Sequence, residues 1–355
     1  MRIVYDSFAG RYSDSPRALF EALRARSDAH DHRWLADPAH RHGFPDDVAT
    51  VDITTAGAIE ALEAADLVVG STHIDLDWVK RPGTRYLQTW HGTPLKRIHH
   101  DVLWAPEGRL ARLDLDIARW DLLLSPNRAS TPVLRKAFRF DGEIAETGYP
   151  RNDVLLGPRA DQVRRDVRAA LGIADGVTAV LYAPTWRDQA TLVDPSLDVP
   201  VGLDVLAAAA DLGPDYCIMQ RLHYLNTARR PPVVGATVRD VSTHPDIAEL
   251  YLAADVLVTD YSSTMFDFAV TGKPIVYHAW DLEDYATTVR GFYLDLMEVA
   301  PGPVLTEQGE VVDALGHLDR VRDEYRERYA AFQERFCHLE DGHATERVLA
   351  RLGLA

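Results

Sequence analysis

Residues 87–100 read Leu-Gln-Thr-Trp-His-Gly-Thr-Pro-Leu-Lys-Arg-Ile-His-His. Tyr86 and Leu87 make a short apolar run, followed by a Trp-His-Gly turn, a Thr-Pro pair and a basic tail. Gly92 allows the chain to turn tightly. Thr93 and Pro94 predict the N-cap and first residue of a helix. The stretch therefore reads as a β-strand ending on a reactive loop at a helix N-terminus, where amide groups and the helix dipole favour anions. His91, just ahead of that terminus, is suited to take a proton from a substrate hydroxyl beside phosphate charge. By itself the loop also fits a capped turn whose histidine satisfies a backbone group. The surrounding chain has to separate the two.

Outward from this stretch, apolar runs alternate with helical patterns, the signature of a parallel, helix-covered sheet. Arg2–Tyr5 and Leu67–Gly70 read as strands, and Ser15-Pro16 opens a helix with Leu19, Phe20 and Leu23 on one face. Residues 29–47 read as loop, and the spacing of His30, His32, His40 and His42 matches no standard metal site. Leu110–Ile117 is helical, 121–125 a strand, and Asn127 begins another helix. Gly157–Gly176 reads as a join. Beyond it a second α/β unit carries strands at Thr178–Tyr182, Tyr216–Met219, Thr237–Val241, Val256–Val258 and Pro274–Tyr277, and charged helices close the chain. The expected architecture is α/β with two Rossmann-like lobes. Residues 1–157 form the first lobe, 158–335 the second, and 336–355 a helix packing back on the first.

The chain has 355 residues, 46% hydrophobic and 26% charged, with a formal net charge of −16. That is a soluble globular composition with too little basic surface for a generic grip on nucleic acid. Cys217 and Cys337 are the only cysteines, which excludes a disulfide scaffold and fits a reducing, cytoplasmic setting. The N-terminus enters a strand pattern directly, and no run approaches the roughly 18 apolar residues of a membrane span.

Four polar loops follow four expected strands. They carry His91; Thr185 and Arg187; Arg221 and His223; and Asp260, Ser262 and Ser263. In open parallel sheets ligands bind beyond the carboxyl ends of strands. Arg221 offers a forked cation for phosphate oxygens, and Ser262 and Ser263 offer hydroxyls and amides at the helix expected from Thr264. Neither Gly-x-Gly-x-x-Gly nor a Walker motif is present. Asp75-Leu76-Asp77 and Asp114-Leu115-Asp116 are candidate metal pairs. The latter reads as a solvated helix face and the former leads into an expected helix start at Trp78, so no metal or other cofactor is expected.

Taken together, these motifs resemble the CDP-glycerol glycerophosphotransferase family, which builds wall teichoic acids and related capsule polymers. The resemblance runs through Phe8–Arg17, Trp90–Lys96, Gly148–Asp153, Tyr182–Arg187, Arg221–Tyr224, Thr259–Ser263, Arg290–Tyr293, Ala300–Pro303 and Asp341–Arg347, nearly the whole chain. It implies a GT-B type fold with the donor held mainly by the second lobe. It also implies metal-independent transfer of an alditol phosphate from CDP-glycerol or CDP-ribitol to a lipid-linked or polymer acceptor, releasing CMP. By resemblance His91 is the general base and His223 a catalytic donor-side residue. The same resemblance implies that Gly92, Thr93, Pro94, Leu95, Arg151, Pro184, Thr185, Arg221, Leu222, Asp260, Ser262, Ser263 and Asp295 bind substrate. The chain begins at the first lobe, which suggests a primase-like enzyme or a short polymerase. Peripheral membrane contact is expected through Arg320, Arg322, Arg326 and Arg328 or an exposed apolar helix face, although those arginines also fit a solvated helix. Two alternatives stay open: a nucleotide-sugar transferase on the same fold, and a non-catalytic module binding teichoic acid or nucleotide.

Overall fold

The computed structural model describes residues 1–26, 30–103, 105–185, 202–222, 233, 235–285 and 291–355. The first sheet contains β1 (Arg2–Asp6), β2 (Asp31–Ala36), β3 (Thr50–Asp52), β4 (Leu67–Gly70), β5 (Arg85–Gln88), β6 (Leu122–Ser125) and β7 (Glu143–Glu146). Its order is β3-β2-β1-β4-β5-β6-β7, all parallel. The second sheet contains β8 (Thr178–Tyr182), β9 (Tyr216–Gln220), β10 (Val238–Asp240), β11 (Val256–Thr259), β12 (Ile275–His278) and β13 (Val304–Leu305). Its order is β10-β9-β8-β11-β12-β13, again parallel. Both orders are doubly wound, with topological switch points at β1/β4 and β8/β11, where crevices for ligands open.

Each strand feeds two cores because side chains alternate across a sheet. In the first lobe Tyr5, Val69 and Leu87 pack on Leu19, Phe20 and Leu23, together with Val348, Leu349 and Leu352. Val4, Val68 and Tyr86 pack on Leu62, Leu134 and Phe138 on the other face. The final helix, Ala344–Leu352, thus closes over the first sheet, and the Arg85 side chain donates to the Leu352 carbonyl at 3.0 Å.

Several expectations change. Residues 31–36 form a strand, and 38–43 a 3₁₀ turn, within a stretch read as loop. No helix starts at Thr93-Pro94. Residues 95–97 instead run along the second lobe, with Lys96 bridged antiparallel to Phe292. Tyr293 N–H donates to the Leu95 carbonyl at 2.8 Å and Arg97 N–H to the Gly291 carbonyl at 3.1 Å. Leu95, 1% exposed, belongs to the second lobe's core. This pairing across the lobes outweighs the local Thr-Pro signal. Trp78 starts no helix either.

Among the described residues no helix is long and apolar enough to cross a membrane. Arg320, Arg322 and Arg326 are paired with Asp313, Asp319 and Asp323, and Arg328 donates to the Met297 and Glu298 carbonyls. They form a solvated, internally paired face.

Candidate active site

The parallel register sets Gly70 level with Gln88, so the loops after β4 and β5 emerge side by side. His91 Nδ1 lies 2.8 Å from the Ser71 carbonyl oxygen. A carbonyl only accepts, so Nδ1 carries the proton and Nε2 keeps its lone pair. Burial lowers the His91 pKa to about 4, against the opposing pull of the Ser71 carbonyl and Asp14. The imidazole is therefore neutral at neutral pH and able to accept a proton at Nε2. The negative charge of a bound diphosphate would raise its basicity.

The ring is held by its neighbours. Trp90 takes a left-handed backbone, φ 55°, at a cost of about 1–3 kcal/mol. Buried Gln88 supports that turn: its Oε1 accepts from Trp90 N–H at 2.9 Å and its Nε2 donates to the Thr72 carbonyl at 3.0 Å. The Trp90 and Phe8 rings wall the imidazole at 4.1 and 5.3 Å. Gly92 faces the other lobe, and a Cβ there would lie 2.8 Å from Ser263 Oγ. The loop that carries His91 thus meets the loop after β11 across the cleft.

In the second lobe, Thr185 N–H donates to Asp260 Oδ1 at 2.7 Å, tying together the loops after β8 and β11 at the switch point. Pro184 and Thr185 are half-buried. Ser262 Oγ accepts from Thr264 N–H at 3.3 Å, and Ser263 precedes the helix Thr264–Ala269. Arg221 follows β9. Its Nη1 donates to the Val241 and His244 carbonyls at 3.1 and 2.8 Å. Among the described residues it makes no ion pair with a carboxylate. Desolvation lowers its pKa and the positive charge of Arg11, from the first lobe, acts in the same direction, against the opposing pull of Tyr251 and Asp246. A half-buried guanidinium whose hydrogen bonds go to carbonyls keeps its other N–H groups for an anion. Leu222 is buried, its N–H bonded to Ser242 Oγ.

Other expected residues hold the architecture. Arg151 Nε and Nη2 bond Asp267, and Nη1 bonds Asp14 at 3.2 Å. This buried triad joins the first helix, the loop after β7 and a second-lobe helix. The structure therefore gives the Arg151 guanidinium carboxylate partners rather than an open face. Asp295 Oδ1 caps a short helix by accepting from Met297 N–H at 2.8 Å. Thr93, Pro94 and Leu95 are buried in the strap between lobes. His223, with Trp186, Arg187 and Tyr224, lies outside the described residues.

Of the candidate metal pairs, Asp75 pairs with Arg112. Asp116, read as solvent-facing, is 2% exposed and accepts from Ile74 N–H, Tyr86 OH and Trp120 Nε1 at 3.2, 3.2 and 2.9 Å. Sequence reasoning did not single out Ser71, Gln88, Asp14 or Asp267. Asp14 and Gln88 sit inside quoted stretches, whereas Ser71 and Asp267 act through contacts that form only in the fold.

Two doubly wound lobes with strand-end loops meeting across a cleft define a two-lobed, GT-B type enzyme. A UDP-GlcNAc 2-epimerase from Neisseria meningitidis, 14% identical, shares the fold over 100% of both chains with a TM-score of 0.55. The chain belongs to the CDP-glycerol:poly(glycerophosphate) glycerophosphotransferase family, whose sequence profile matches residues 1–353. It is 39% identical to a teichoic acid glycerol-phosphate transferase of Staphylococcus aureus, over 98% of this chain and 91% of the relative. It is 36% identical to a teichoic acid poly(glycerol phosphate) polymerase of Staphylococcus epidermidis, over 98% of this chain but 49% of the relative. The wall teichoic acid polymerase TagF superposes with a TM-score of 0.88 at 34% identity, over 99% of this chain and 88% of that one.

Proposed function

We propose that this enzyme transfers glycerol phosphate from CDP-glycerol to a hydroxyl of a lipid-linked or polymeric acceptor. The acceptor oxygen attacks the β-phosphorus, His91 Nε2 takes the hydroxyl proton, and the bond to the bridging oxygen breaks to release CMP. Arg221, with Ser262 and Ser263, neutralises the diphosphate. In-line transfer at phosphorus calls mainly for positioning and charge stabilisation, so this reading needs no metal step. The observation that carries it is the fixed His91 tautomer, set by the Ser71 carbonyl at 2.8 Å. Glycerol is favoured over ribitol because relatives named for glycerol phosphate reach 39% and 36% identity, against 26% and 28% for those named ribitol-phosphate polymerases. A lipid-linked acceptor makes peripheral contact with a membrane surface part of the same reading. Incubation with CDP-glycerol and a lipid-like acceptor should release CMP and add 154 Da units, roughly one glycerol phosphate less water, to the product. CDP-ribitol and UDP-sugars should give little turnover. Faster turnover with a UDP-sugar would move the chain to the nucleotide-sugar reading, and donor binding without CMP release would make it a binding module.

A further inference from the structure

Behind Trp90, away from the residues given roles in transfer, rings continue from His73, 5.9 Å from Trp90, to His99, 5.5 Å from His73. His99 and His100 are consecutive. The left-handed backbone of His99, φ 48°, brings their rings to 4.5 Å centroid separation. Both turn toward Asp114, on the helix Arg109–Ile117. His100 Nε2 lies 2.8 Å and His99 Nε2 3.8 Å from Asp114 Oδ1. Among the described residues these three are the one group of His, Cys, Asp or Glu ligand atoms gathered within 4.8 Å of one another.

The second observation concerns His99 itself. Its side chain is 2% exposed, yet among the described residues neither ring nitrogen has a hydrogen-bond partner. The Ala137 backbone acts on the ring without meeting hydrogen-bond geometry. An unpartnered imidazole in the interior costs stability unless something binds it.

We propose that His99, His100 and Asp114 form a site for a zinc-class divalent ion, separate from the transfer chemistry. Two ligands of a tetrahedral ion with bonds near 2.1 Å lie about 3.4 Å apart, so the two observed separations need to adjust by only about half an ångström. Two imidazoles and one carboxylate suit zinc, cobalt or nickel rather than magnesium or calcium, which demand oxygen ligands. The ion would fasten the turn His99–Asp101 to the helix carrying Asp114. Tyr293 OH already donates to Asp101 Oδ2 at 2.8 Å from the second lobe, so the ion would brace the strap leading away from His91.

The test titrates the metal-stripped full chain with zinc by calorimetry and with cobalt by visible absorption, beside His100→Ala and Asp114→Asn. Removing a second-shell partner of a metal costs about 10–100-fold in affinity, so loss of a direct ligand should cost about 100-fold or more. One equivalent should bind the parent chain, raise its melting temperature and give the d–d bands of four-coordinate cobalt. Asp114 is 43% exposed, so Asp114→Asn carries the test if His100→Ala fails to fold. Absence of binding, or equal binding in parent and variants, would overturn the site; the latter would place the ion on other histidines.

Discussion

Replacing Arg221 with methionine separates a binding role from a structural one, because the two roles move stability and affinity differently. The substitution keeps an aliphatic stem and removes the cation. Lost from the fold are the hydrogen bonds to the Val241 and His244 carbonyls, each worth about 1.5–3 kcal/mol as a charged-donor bond. Removed with them is the desolvation cost of a half-buried cation that makes no ion pair with a carboxylate among the described residues, on the order of a few kcal/mol. These terms oppose each other and are similar in size, so folding stability should change by less than about 2 kcal/mol. Donor binding has no such compensation. Loss of one charge-assisted contact to the diphosphate, about 1.5–3 kcal/mol, should weaken CDP-glycerol binding by about 10–150-fold. Denaturant unfolding gives the first quantity and calorimetric titration the second. A large loss of stability with unchanged donor affinity would refute the assignment and make Arg221 a loop tie.

Three other substitutions test the frame around the site. Asp267→Asn leaves Arg151 with only Asp14 among its carboxylate partners; breaking such a buried network should cost about 3–5 kcal/mol, read from denaturant midpoints. Asp6, 1% exposed, has its pKa raised from 3.8 to about 7 by burial. Its contribution to stability is therefore fully present below the unfolded value and lost as pH rises through about 7. Asp6→Asn should match the parent near pH 4 and exceed it at pH 8 by about 4 kcal/mol at most, and a parallel pair of pH–stability curves would contradict this. Gly92→Ala forces a methyl group to 2.8 Å from Ser263 Oγ. It should slow turnover while shifting the melting temperature little, and unaltered turnover would show that the two loops need not meet during catalysis.

The strands that carry the site were legible because buried parallel strands read as short apolar runs, such as Leu67–Gly70, Leu122–Ser125 and Val256–Thr259. Strand β2 was hidden because Asp-His-Arg precedes Trp-Leu-Ala, so half of it resembles the polar loops around it. The Thr-Pro pair at 93–94 carries a helix signal that extended backbone also satisfies. Only the pairing of residues 95–97 with 291–293 decides between them. Asp116 was unreadable for a similar reason, since its three donors come from Ile74, Tyr86 and Trp120. The strand-end placement of His91, Arg221 and Ser263 followed from local pattern. The tautomer of His91, the carbonyl partners of Arg221 and the commitment of Arg151 to Asp14 and Asp267 depend on residues distant in sequence, and no spacing rule encodes them.

The central claim is that His91 is the base, and it is tested most directly by CMP release from CDP-glycerol and acceptor by His91→Ala beside the parent enzyme. General-base catalysis contributes about 10²–10⁴-fold. Turnover by the variant should fall by at least the lower figure, with donor affinity nearly unchanged because Arg221 and the second-lobe loops are intact. A variant that binds CDP-glycerol normally and still releases CMP at close to the parent rate would contradict the account.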